Sequence, residues 1–134
     1  MPGGLMNLLF YSGGYKDVEK KAELVGINQE KNAQTCRTIE TLLSASEKPI
    51  HETDVMILVA DKKVLSRLLP VRQLLIHHRI ILILSDGDEE TLTQAHKLYP
   101  RFISYADSDF RDVSVVLTKM RGNQRPMEKQ ERRE

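Results

Sequence analysis

The sequence predicts an α/β domain, a three-layer α/β/α sandwich in which helices cover both faces of a mostly parallel sheet. Three observations carry this prediction. Two continuous apolar runs, DVMILVA at 54–60 and RIILILS at 79–85, are rich in branched residues and apolar on both faces, as strands buried on both sides are. The segments that follow repeat apolar residues at three and four, the period of an amphipathic helix. From residue 54 on, strands and helices alternate as β-α-β-α-β-α, an order that suits parallel strands with right-handed crossovers.

The elements follow in order. Residues 6–11 form a short apolar run stopped by Gly13 and Gly14, which reads as a buried strand. YKDVEKKAELVGINQE at 15–30 is the least decided segment: its first half suits a turn of helix, and 21–27 suits a strand. From Asn32, the apolar positions Ala33, Cys36, Ile39, Leu42 and Leu43 form one helical stripe, closed by Pro49. After strand 54–60, Pro70 marks a new first helical turn, where its missing N–H costs nothing. Asp86, Asp88, Glu89 and Glu90 suit a helix N-terminus, with Leu92, Ala95 and Leu98 as the buried stripe. RFISYAD at 101–107 is a shorter strand. The last helix buries Val113, Val116, Leu117 and Met120 and takes Ser108 or Asp109 as its cap. Residues 1–120 form one domain with a single core. The tail 121–134, with five basic and three acidic residues and Met127 as its apolar residue, reads as a disordered extension or linker.

Composition narrows the function. A net charge of +1 leaves no electrostatic footprint for nucleic acid or an anionic membrane. A single cysteine, Cys36, precludes an internal disulfide and fits a reducing compartment, so a cytoplasmic location is expected. No apolar run is long enough for a membrane span. The four histidines, His51, His77, His78 and His96, and Cys36 show no zinc spacing. His77 and His78 read as residues at a helix end and Cys36 as a small buried hydrophobe. No nucleophile elbow occurs. Neither a metal nor another cofactor is expected, and no catalytic residue is assigned.

Two positional patterns bear on chemistry. FYSGGYKD resembles the phosphate loop of PP-loop ATP pyrophosphatases at Ser12, Gly13 and Gly14, which would make the chain a nucleotide-binding protein. The acidic residue arrives one position late, at Asp17, and Val18 stands where that family has Ser; a tight glycine turn is the simpler reading. Sites in open parallel sheets form beyond the carboxyl ends of the strands. Asp61, Asp86 and Asp107 lie at such ends and would either converge on a divalent cation or serve as separate strand termini and caps, the simpler reading.

From residue 54 to about 120 the order and spacing resemble the receiver (CheY-like, flavodoxin-like) domain of bacterial response regulators. The resemblance implies a five-stranded sheet, with Asp61 at the phosphoacceptor position and Ser85 at the phosphoryl-binding position. It puts Tyr105 at the aromatic switch position and Phe110 at the aromatic entering the last helix. Ser108 replaces the lysine that pairs with a phosphorylated Asp, and a Ser cannot supply that cation. Ser12 and Gly13 replace the acidic pair that holds Mg²⁺ at the end of the first strand. The resemblance therefore implies a pseudo-receiver, a non-enzymatic two-component signalling module without normal aspartyl phosphorylation. Such a module works through a protein partner or homodimer at the face of the fourth helix, fifth strand and fifth helix: residues 92–99, Tyr105 and the outer side of 109–120. The alternative is a STAS-like regulatory domain, which requires residues 6–27 to form a β-hairpin.

Overall fold

In the computed structural model, which describes residues 7–27, 33–46 and 55–122, five strands form one sheet in the order β2-β1-β3-β4-β5, all pairs parallel. The elements are β1 (Leu8–Tyr11), α1 (Lys16–Leu24), β2 (Ala33–Cys36), α2 (Ile39–Ser46) and β3 (Val55–Ala60). Then come α3 (Lys62–Leu68), a 3₁₀ segment (Leu69–Leu74), β4 (Arg79–Leu84), α4 (Glu89–His96), β5 (Phe102–Tyr105) and α5 (Arg111–Gly122). This is the flavodoxin-like, doubly wound order. A hairpin at 6–27 is ruled out, and the STAS-like topology with it. Asn32, Pro49, His51, Asp54 and the tail 123–134 lie outside the described residues. Among those described, no helix is long and apolar enough to cross a membrane.

Strand alternation sorts the core into two layers. Leu8 and Phe10 of β1, Val55, Ile57 and Val59 of β3, and Ile81 and Ile83 of β4 meet α1 and α5 through Val18, Ala22, Val113, Leu117 and Met120. Tyr11, Met56, Leu58, Ala60, Ile80, Leu82 and Leu84 face the other way, onto α2, α3 and α4 through Leu42, Leu65, Leu68 and Ala95. Both faces of β3 and β4 are thus buried, as their unbroken apolar runs require.

Two segments differ from the sequence reading. Residues 21–24 are helical, and 25–27 form the turn that ends α1. Helix α1 buries only Val18 and Ala22, one turn apart, while Leu24 remains 79% exposed; the stretch AELVGI at 22–27 is therefore a helix end rather than a strand. Gly26, with φ +79°, donates its N–H to the Glu23 carbonyl and closes the helix there. The stripe begun at Ala33 is not one helix. Ala33–Cys36 is an edge strand and Thr38 caps α2, its Oγ1 accepting from the Thr41 N–H at 3.1 Å. A three-residue spacing that runs through strand, loop and helix imitates a helical stripe.

The remaining boundaries hold closely. Pro70 opens the 3₁₀ segment. Helix α5 starts later than Ser108 or Asp109 would make it. Their side chains instead accept the N–H groups of Phe110 (3.2 Å) and Arg111 (3.1 Å), forming turns ahead of the first helical residue. These turns hold Phe110 at φ +67° with its ring fully buried.

Candidate functional site

The crossovers from β1 and β3 leave the sheet in opposite directions, so their loops part beyond the strand ends and open a crevice. A cavity of about 580 Å³ occupies it, lined by Tyr11, Gly13, Tyr15 and Lys16 after β1 and by Val18 and Lys21 of α1. Asp61, Val64 and Ser85 line the opposite side, and Ala106 closes the end beyond β5.

The glycine turn is built for its bend. Gly13 and Gly14 sit at φ +69° and +81°, a region where a side chain costs about 1–2 kcal/mol. A Cβ on Gly13 would also lie 3.2 Å from the Tyr15 ring. The Ser12 hydroxyl is fully buried, accepts the Gly14 N–H at 3.1 Å and donates to Glu19 Oε2 at 2.6 Å. Arg37, at the start of the β2–α2 loop, grips the same carboxylate with Nε at 3.0 Å and Nη2 at 3.1 Å. Those bonds, Arg37's first and Ser12's second, hold the Glu19 carboxyl below the usual carboxylate range. A carboxylate closes over the loop where a phosphate cradle needs donors, so these geometries support a tight turn over a PP-loop.

The three aspartates do not converge on a cation. Asp61 lines the cavity and caps α3, with Oδ1 accepting the Val64 N–H at 2.8 Å. Asp86 turns the β4–α4 loop, accepting the Asp88 N–H at 2.9 Å, and that bond is the main reason its carboxyl is lowered. Asp107 lies in a separate groove with Ser108 and Arg111. Among the described residues, no three His, Cys, Asp or Glu come close enough together to hold a metal ion. His78 is buried with Nδ1 3.3 Å from the Leu75 carbonyl, Cys36 is buried, and His77 and His96 are exposed.

The structure brings Asp61 and Ser85 to the cavity and leaves Tyr105 partly exposed at the sheet edge. Ser108 lies outside the cavity, next to Ser104 Oγ at 3.4 Å. The residue missed from sequence is Lys21. Its Nζ reaches from α1 to the carbonyl oxygen of Ala106 at 2.6 Å and stands 5.5 Å from the centre of the Phe110 ring. Ser108 carries no charge, and Lys21 gives this rim its cation. The signal lay in the helical phase of 16–24, which places Val18, Lys21 and Ala22 on one side, but a strand reading of 21–27 hid it.

Burial raises the Tyr11 phenol above its ordinary range. Lys62 bridges Asp88 and Glu90 at 3.3 Å each and ties the start of α3 to the start of α4.

No family model matches the sequence, and no curated protein matches it. Two solved structures share the fold. One is a putative pilus assembly-related protein from Burkholderia pseudomallei, with a TM-score of 0.64 at 17% identity over 89% of this chain and 91% of that one. The other is a response regulator from Burkholderia pseudomallei with a phosphorylated aspartic acid, a calcium ion and citrate, with a TM-score of 0.61 at 14% identity over 88% of this chain and 69% of that one. Likeness at such identity establishes the receiver-like fold.

Proposed function

We propose that this chain is a cytoplasmic receiver-like signalling module that works by protein–protein contact and does not run normal aspartyl phosphorylation at Asp61. One observation carries the reading. Strand β1 is followed by Ser12-Gly13, and the Ser12 hydroxyl is committed to Glu19, itself clamped by Arg37. A hard divalent cation needs carboxylate oxygens, and among the described residues no acidic pair joins Asp61 to hold one. Phosphoryl transfer depends on positioning and electrostatic stabilisation, so Lys21 supplies one contribution while the described residues offer no cluster of metal ligands.

The contact surface in this reading is the face of α4, β5 and α5, where Tyr99, Tyr105 and Val115 are exposed. A second copy of the chain is the first partner to test. The decisive experiment is incubation with acetyl phosphate and Mg²⁺ followed by intact mass. An unmodified chain supports the proposal, and stoichiometric gain of one phosphoryl group on Asp61 overturns it.

A further inference from the structure

We infer that the crevice between the β1 and β3 loops is a binding site for a small organic anion, a single phosphate or carboxylate group carried on a ring-sized apolar body. The site's size and lining come first. A cavity of about 580 Å³ lies in the range of small-molecule sites, roughly 300–1,000 Å³. Tyr11, Tyr15, Val18, Val59, Val64 and Ala106 are among the apolar and aromatic residues of its wall. A bare phosphoryl group would leave most of that apolar wall untouched.

Charge sets the polar end. Lys21 is half-buried, and its ammonium has one carbonyl bond and one aromatic face. An ammonium carries three donors, so two remain for a ligand, and no carboxylate among the described residues pairs with it within 4 Å. Taking a cation out of water without an opposite charge is unfavourable, and an anion seated beside Ala106 would correct this. Lys16 adds a second positive charge to the lining, while Asp17 and Asp61 add two negative ones. That balance suits one anionic group near Lys21 and repels a polyphosphate. Asp61, with Oδ1 occupied by the Val64 N–H, retains acceptor capacity for a donor on the ligand body.

The inference rests on the proposed function in one respect: a phosphoryl group on Asp61 would fill the same space. The test is calorimetry on the full chain, confirmed unphosphorylated by intact mass, with phenyl phosphate, inorganic phosphate and ATP. Phenyl phosphate should bind at least about tenfold more tightly than either of the others, a difference of about 1.4 kcal/mol. Lys21→Met should weaken it at least about tenfold and Lys21→Arg much less. Tyr15→Ala, at a largely exposed ring, serves as a second variant that should weaken phenyl phosphate and leave inorganic phosphate unchanged. No phenyl phosphate binding, equal affinity for inorganic phosphate, tighter ATP binding, or indifference to both Lys21→Met and Tyr15→Ala would each overturn the inference. A chain found phosphorylated on Asp61 would instead overturn the proposed function.

Discussion

Glu19 joins three segments, since its carboxylate binds the Ser12 hydroxyl after β1 and the Arg37 guanidinium after β2. Replacing it with Ala leaves the fully buried Ser12 hydroxyl without its acceptor, which costs about 1–3 kcal/mol. The Arg37 arm adds little, because that side chain is 68% exposed and solvent screens it. The expected loss is about 2 kcal/mol, and with a urea m-value of about 1–3 kcal/mol/M the midpoint falls by roughly 1 M. Urea unfolding followed by circular dichroism reads this directly. Glu19→Gln keeps an oxygen for Ser12 and should recover most of the loss. A Glu19→Ala loss below about 0.5 kcal/mol, or a Gln variant no better than Ala, would refute the assignment of the loops' order to this network. The pH sign follows from the lowered carboxyl. The contribution is present above the unfolded value near 4.5 and fades as pH falls through the lower folded value. The difference between wild type and Glu19→Ala should therefore shrink in acid.

Other expectations separate cap, turn, core and interface. Asp61→Ala should lose about 1 kcal/mol from the α3 cap, whereas Asp61→Asn, also a good cap, should melt close to wild type. Gly14→Ala places a side chain at φ +81° and should cost about 1–2 kcal/mol, measured by thermal melting. Leu82→Ala, fully buried between β3 and β5, should cost about 2–5 kcal/mol in the same assay. If the α4-β5-α5 face is a homodimer surface, sedimentation of Tyr105→Glu should show a monomer where the parent chain shows a dimer.

The central strands were legible because burial on both faces forces the unbroken apolar runs 55–60 and 80–84, which no other element of that length requires. Asp61 and Ser85 could be placed at the rim of the sheet for the same reason: a strand end locates the residue that follows it. The edge of the sheet was not legible. Edge strand β2 buries only Cys36 of its four residues, so its sequence AQTC carries almost no alternation. Helix α1 needs only Val18 and Ala22 for its contact and leaves charged residues on the rest of its surface.

By itself, then, the sequence determined the α/β class, the position of β3 and β4, the glycine turn after β1, and the absence of an acidic pair at its end. These follow from local chain chemistry: burial period, left-handed φ at glycine and side-chain identity. Tertiary structure alone decided that Glu19 and Arg37 close over Ser12, and that Lys21 delivers its ammonium to Ala106, 85 positions away. Neither pairing leaves a spacing to read, because parallel crossovers bring distant segments to one rim and only the completed sheet sets which side chains meet. The turn NLLFYSGGYKD was visible as a bend from its glycines; the carboxylate clamped over it and the cation beside it were not.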